Sequence, residues 1–265
     1  MATFLPPTAP PTAPPNATAH RIDFTQTTPP LPHYRHLFAA TIDNLLTEPE
    51  CTELLRLAEA STLTRGTCQP PKWERAMLNV GAGEQILRPD TRNCGRIILD
   101  APALARKLCD RLLPFLRDEF AIDTLGKDAW RVTRQTRRRY RLTRLNERLR
   151  FLRYEGGEFF RPHWDAWYTT PDRRERSFFT VQVYLNGEGG GGVDGEGLVG
   201  GATSFVRRLE VEREEDEVVK VLPRVGSVLV FQQNDLLHAG EPVVRGVKYT
   251  LRTDVMYEEI VEDED

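Results

Sequence analysis

The sequence has no apolar run approaching the ~18 residues of a membrane-spanning helix, so no span is expected. Its first 30 residues have no basic start followed by an apolar stretch, so no secretory signal is expected. Both absences point to a cytoplasmic or nuclear location. Cysteine is scarce: Cys51, Cys68, Cys94 and Cys109 are separated by 17, 26 and 15 positions. Such gaps fit neither a zinc pattern nor a dense disulfide framework, and reduced thiols are expected. Positive charge is not in excess either. Thirty-six Lys and Arg face 39 Asp and Glu, a net −3, which argues against a globally basic nucleic-acid binder. No repeat of ~20–50 residues is present, which excludes a solenoid or propeller.

What is present is unevenly distributed. Nine of the 19 prolines fall between Pro6 and Pro32. This composition cannot bury enough apolar surface to offset ordering entropy, so 1–35 reads as a proline-rich disordered tail. Thr47-Glu48-Pro49-Glu50 has the chemistry of a helix start, with Thr47 as N-cap and acids in the first turn. Leu54, Leu55, Leu57 and Ala58 supply an apolar face behind it. A second helix is expected from about Pro102 to Glu119, where Leu104, Leu108, Leu112 and Leu116 recur every four residues. After Arg148 the pattern turns to short segments rich in β-branched and aromatic residues: Phe151–Tyr154, Phe178–Leu185, Ala202–Phe205, Val218–Leu222, Ser227–Phe231 and Val247–Tyr257. Helices first and strands afterwards predict an α+β fold, with helices bracing one side of a β-sandwich or barrel. Residues 36–258 read as a single domain, helical over about 36–145 and β over about 146–258, followed by an acidic tail at 259–265. Gly187–Gly201 holds nine glycines in 15 residues and predicts a mobile loop. Arg131–Arg153 holds ten arginines in 23 residues, a local basic stripe.

Of five histidines, only His163 and His238 lie in the β-rich half. His163-Trp164-Asp165 places an imidazole and a carboxylate on one side of an extended strand, because side chains alternate. A distant histidine can complete a face of three ligands. Two His and one carboxylate leave positions open on a six-coordinate metal, as non-heme Fe(II) oxygenases require. Alone, His-x-Asp is a weak signal, and His238 could be a loop histidine satisfied by water. The surroundings strengthen it. Tyr154-x-x-Gly157-x-x-Phe160 precedes His163. Thr180-Val-Gln-Val-Tyr184, Gly200-Gly201-Ala202-Thr203 and Pro223-x-x-Gly226 follow in order. His238-Ala-Gly240-Glu-Pro242 and Gly246-Val-Lys248-Tyr249 come last, with Lys248 ten residues after His238.

In this order the motifs resemble the Fe(II)- and 2-oxoglutarate-dependent dioxygenases, nearest to the prolyl 4-hydroxylase-like branch, over about Leu145–Tyr257. The resemblance implies a double-stranded β-helix, or jelly roll. It implies Fe(II) held by His163, Asp165 and His238, with 2-oxoglutarate and O2 as co-substrates and ascorbate as a possible reductant for the iron. Lys248 would pair with the distal carboxylate of 2-oxoglutarate, and Tyr154 and Thr180 would hydrogen-bond the same region. A buried dicarboxylate needs a buried cation, since an unpaired buried charge is very costly. Arg252 shares a strand face with Lys248, Thr250 and Asp254. It is a second candidate for 2-oxoglutarate or for an acidic substrate group, or simply a partner of Asp254. The implied activity is decarboxylation of 2-oxoglutarate coupled to oxidation of a C–H bond, most simply hydroxylation, with desaturation and ring closure also open.

Trp167, two residues beyond Asp165, is a candidate wall of the substrate pocket or plain core. Arg92 and Arg96 are candidates for reading a substrate carboxylate, or surface ion pairs. They tilt the substrate toward a small carboxylate-bearing metabolite, with a prolyl or peptidyl substrate kept beside it. Two further readings stay open: a nucleic-acid demethylase that follows phosphates with the arginine stripe, and a catalytically silent scaffold whose proline-rich tail binds a partner.

Overall fold

The computed structural model describes residues 13–63, 69–81, 84–133, 138–187, 197–207 and 218–261. Two facing sheets dominate it. The larger is built from β1 (Thr18–Arg21), β2 (Ala39–Asp43), β3 (Gly95–Asp100), β4 (Arg139–Leu145), β5 (Arg148–Glu155), β7 (Glu175–Tyr184), β10 (Val228–Gln232) and β12 (Val247–Ile260). Its central order is β1-β2-β10-β7-β12-β5-β3, and β4 pairs with the far end of β12. The smaller sheet orders β9 (Val218–Val221), β8 (Thr203–Val206), β11 (His238–Gly240) and β6 (Phe159–His163), with Arg92–Asn93 at its edge. The strand pattern predicts a β-sandwich or barrel, and this is the jelly-roll core that the resemblance implies.

Alternation along the strands sorts the chemistry. On β12, Tyr249, Leu251, Val255 and Tyr257 enter the main apolar cluster, while Lys248, Thr250, Arg252 and Asp254 line a cavity between the sheets. On β7, Phe179, Val181 and Val183 face the same cluster. On β5, Leu149 and Phe151 do so, while Arg150, Leu152 and Tyr154 face the cavity. A one-residue slip would send the charges into the core, so burial of one face fixes the register.

Two helices cover the apolar face. α1 (Glu48–Ala60) begins with the expected cap: the Glu50 amide donates to Thr47 Oγ1, and the Thr47 amide donates to Glu50 Oε2. α2 (Pro102–Pro114) buries Leu104, Leu108 and Leu112 and runs into a wider turn at Phe115–Glu119. No helix among the described residues is long and apolar enough to cross a membrane.

The helices brace the sheet as expected, but 36–145 is not mainly helical: β2, β3, β4 and the hairpin Leu78–Gly81/Glu84–Ile86 lie there too. β4 is hidden in the sequence because three of its seven residues are arginines, Arg139, Arg141 and Arg144, and they break the alternation. Order also starts well before residue 36. β1 pairs with β2, and Phe24, Leu31 and Tyr34 are buried against Phe205 and Phe231 in a second apolar cluster. The Tyr34 hydroxyl donates to the Val206 carbonyl at 2.7 Å. Three large anchors suffice to seat a segment whose average composition reads as disordered. The Pro6–Thr12 part of the tail lies outside the described residues.

The acidic end is likewise partly structural. Glu258 and Glu259 extend β12 and pair with Arg141 and Arg138; 262–265 lie outside the described residues, as do 188–196 of the glycine-rich segment. Cys51, Cys94 and Cys109 are free and buried, as the spacing predicts, and Cys68 lies outside the described residues. At Gly226 φ is +75°, and a Cβ would come within 1.8 Å of the Leu46 carbonyl oxygen, so only glycine fits the turn into β10.

Candidate active site

The register of the two sheets brings His163 at the end of β6 opposite His238 at the start of β11. Asp165 follows β6 in an irregular segment, with its carbonyl held by the Asn234 amide at 2.8 Å. The ligand atoms of these three residues lie within 4.8 Å of one another. His163 Nδ1 lies 2.8 Å from the Arg161 carbonyl, and His238 Nδ1 lies 3.0 Å from the Leu236 carbonyl. A carbonyl can only accept, so each Nδ1 carries the proton and each Nε2 presents a lone pair. Both Nε2 atoms sit 3.8 Å from an Asp165 oxygen. That is too long for a hydrogen bond and leaves room for an ion between them. The arrangement fits a metal of mixed nitrogen and oxygen preference.

Asp165 is held from behind. Its Oδ2 accepts from Thr180 Oγ1 at 2.7 Å and meets Arg252 Nη2 at 3.1 Å. Burial pushes the Asp165 pKa up, but Arg252, then His238, His163 and the Thr180 hydroxyl, outweigh it and hold the carboxyl well below its usual range. Burial lowers both histidine pKa values, keeping the imidazoles neutral and available. Arg252 also reaches Asp254 at 3.4 Å. Asp254 in turn takes hydrogen bonds from Gln233, Asn146 and Arg150 at 3.0, 3.1 and 3.2 Å. Asp254, Arg150 and Gln233 were not singled out in the sequence as site residues. Alternation on β12 places Asp254 beside Arg252, but the cross-strand pairing of Arg150 with Arg252 requires the fold.

Lys248 lies in the same cavity, opposite Tyr154 across β5 and β12. It is 3% exposed and has no ion pair or hydrogen bond among the described residues. Its ammonium lies over two rings instead, 5.3 Å from the centroid of Tyr154 and 5.7 Å from that of Tyr184. Burial lowers its pKa to about 8. Gly201 makes room for the chain: φ is +69° and a Cβ would touch Lys248 Cδ at 3.0 Å. Between Lys248 and Arg252, Thr250 carries a buried hydroxyl with no partner.

The cavity measures about 410 Å³, and every residue singled out in the sequence for the site lines it except Thr180. Thr180 supports Asp165 rather than the Lys248 end, so the expected contact to the 2-oxoglutarate region is not where the chain places it. Arg252 is likewise engaged by Asp165 and Asp254 and is not a free cation. Trp167 stands between the two readings given for it. It packs on Phe178 at 5.9 Å and lines the cavity with a buried, unpartnered Nε1.

Residues 149–253 match the family model of the 2OG-Fe(II) oxygenase superfamily. The β core of this chain is a 2OG-Fe(II) oxygenase domain. Fe(II), 2-oxoglutarate and O2 are therefore the co-factor and co-substrates of this oxygenase. No curated protein matches the chain. Among solved structures it is similar to a viral collagen prolyl hydroxylase from Paramecium Bursaria Chlorella virus-1, at 19% identity and TM-score 0.45, over 83% of this chain and 96% of that one. It is also similar to a Pseudomonas putida prolyl-4-hydroxylase, at 18% identity and TM-score 0.47, over 84% and 95%. A third is a prolyl hydroxylase from Trichoplax adhaerens in complex with a hypoxia inducible factor peptide fragment, at 16% identity and TM-score 0.47, over 82% of each chain.

Proposed function

We propose that His163 Nε2, His238 Nε2 and Asp165 hold the Fe(II), and that Lys248 receives the distal carboxylate of 2-oxoglutarate, with Thr250 and Tyr154 beside it. The convergence of three ligand atoms next to a buried cation that has no ion pair among the described residues carries this reading. Bound Fe(II) and 2-oxoglutarate supply O2 activation: one O2 and one 2-oxoglutarate oxidise a substrate C–H to C–OH and leave succinate and CO2.

The chain's own part is positional. The Arg161 and Leu236 carbonyls fix the imidazole tautomers, and such partners orient ligands and raise their basicity. Thr180 and Arg252 engage Asp165 Oδ2, leaving Oδ1 for the metal and keeping the carboxylate ionised. The dry wall of Tyr154, Leu152 and Phe160 strengthens the Lys248–carboxylate attraction. Arg252, an open candidate for 2-oxoglutarate in the sequence, is assigned to supporting Asp165.

The substrate is a small molecule or a peptide. The paired arginines of the basic stripe support this over nucleic acid: Arg141, Arg144, Arg148 and Arg153 meet Glu258, Glu175, Asp100 and Glu155 at 2.5, 2.7, 3.0 and 2.7 Å. Arg134 and Arg137 of that stripe lie outside the described residues. The test is anaerobic binding of Fe(II) and 2-oxoglutarate, followed by succinate release when air is admitted. Succinate that requires Fe(II) and vanishes in His163→Ala is expected. Absence of binding of both ligands would overturn the assignment.

A further inference from the structure

The charge lining the cavity does not close. Five cations face it, Arg92, Arg96, Arg150, Lys248 and Arg252, against two carboxylates, Asp165 and Asp254, an excess of three positive charges. Fe(II) and 2-oxoglutarate bring charges of opposite sign and equal size, so loading the site leaves that excess in place. Arg150 and Arg252 share the two carboxylates, and Lys248 is assigned to 2-oxoglutarate. Arg92 and Arg96 remain.

Arg96 is 8% exposed. Its one hydrogen-bond partner among the described residues is the neutral Gln85 Oε1 at 3.2 Å. Burial lowers its pKa, and the charges of Arg92 and Arg150 add to this. Glu74, whose charge also reaches it, is exposed and bridged to Lys72 at 3.1 Å. Arg92 lies with its guanidinium 4.6 Å from the centroid of Phe160, and that ring is stacked on His163 at 3.5 Å. Its Nε is buried without an acceptor, as is Trp167 Nε1 on the cavity wall. These are donors awaiting an acceptor-only group, next to the imidazole assigned to the metal. A guanidinium left unpaired in such a place is costly, and a bidentate oxyanion removes the cost.

We propose that the substrate of this site carries an anionic group, a carboxylate or a phosphate, which Arg96 and Arg92 bind. The inference rests on the oxygenase reading above. It sets specificity: a neutral analogue of the same shape leaves the two guanidinium groups unpaired, which penalises it more than loss of an apolar contact would.

The experiment uses the full chain loaded with Mn(II) and saturating 2-oxoglutarate. Calorimetry measures their binding first; failure at that stage overturns the oxygenase assignment and this proposal with it. On protein that has bound both, ligand-observed NMR compares small carboxylates with their amides, phosphate monoesters with their alcohols, and acidic hexapeptides with amidated counterparts. At least one charged member is expected to bind about tenfold or more tightly than its neutral twin. Which pair discriminates identifies the source of the anion. Arg96→Gln and Arg92→Gln should each remove that preference, and Arg96→Lys should restore part of it, which a folding defect would not. Equal binding of charged and neutral twins throughout, or a charged preference that persists in both Gln variants, overturns the proposal while leaving the oxygenase assignment intact.

Discussion

Lys248 and Arg252 sit four residues apart on one face of one strand and line the same cavity, Lys248 buried and Arg252 half-buried, yet the chain treats them differently. Arg252 has Asp165 at 3.1 Å and Asp254 at 3.4 Å. Lys248 has two tyrosine rings beyond 5 Å and, among the described residues, no ion pair; the Glu241 charge reaches it only at longer range. Cation–π contacts contribute roughly 0.5–2 kcal/mol, well short of the cost of burying an ammonium. The guanidinium is thus compensated within the fold and acts by holding a ligand carboxylate in place. The ammonium is left for a charge that arrives from outside. Compensation inside the chain, rather than strand position, separates a supporting cation from a binding one.

Removing what Arg252 supports should have the largest effect. Asp165→Ala takes away the one carboxylate of the triad and leaves Arg252 facing two imidazoles. Mn(II) affinity, measured by calorimetry, is expected to fall more than about 100-fold, beyond the usual loss for an outer partner. Next is Lys248→Met, which should weaken 2-oxoglutarate binding by about 100-fold while stabilising the ligand-free protein. Burial takes the Lys248 pKa from 10.5 to about 8. At pH 7 the charge therefore opposes folding, by about 3 kcal/mol at ~1.4 kcal/mol per pKa unit. The unfolded chain binds more protons than the folded one between those two values, so stability contributed by this group rises with pH from about 8 to 10.5. Denaturant titrations should show that rise in the wild type and its absence in Lys248→Met.

Arg252→Met inverts this outcome for stability. It leaves Asp165 without its guanidinium partner, while Asp254 keeps Arg150, and should cost about 3 kcal/mol, read from urea midpoints. It also removes the main charge that lowers the Asp165 pKa, so metal binding should require a higher pH. The smallest change is expected for Thr180→Val, which removes one 2.7 Å hydrogen bond to Asp165. Mn(II) affinity should fall by about tenfold.

The site was more legible in the sequence than the frame around it. His163-x-Asp165 and a later His238 stand out from strand alternation, while the full ligand set and the role of Lys248 come from the family resemblance. The β-rich half reads well because its strands are apolar on one face. The reading failed where that signal is diluted: in the expected helical half, arginines break the alternation of β4, and in the expected tail, β1 sits in a proline-rich stretch anchored by Phe24, Leu31 and Tyr34. Arg252 shares a strand face with Lys248, and the resemblance places Thr180 among the 2-oxoglutarate contacts, so both read as cofactor contacts. Their engagement with Asp165 depends on how the segment after β6 folds back, and no periodicity reports that. Gln233 and Arg150 enter through cross-strand register, which is a property of the assembled sheet.

The central claim is that Lys248, without an ion-pair partner among the described residues, receives the distal carboxylate of 2-oxoglutarate. Calorimetric titration of 2-oxoglutarate into Mn(II)-loaded wild type and Lys248→Met tests it most directly. The account predicts that both proteins take up Mn(II), that the wild type then binds 2-oxoglutarate, and that Lys248→Met does so at least about 100-fold more weakly. Unchanged 2-oxoglutarate affinity in Lys248→Met would contradict it.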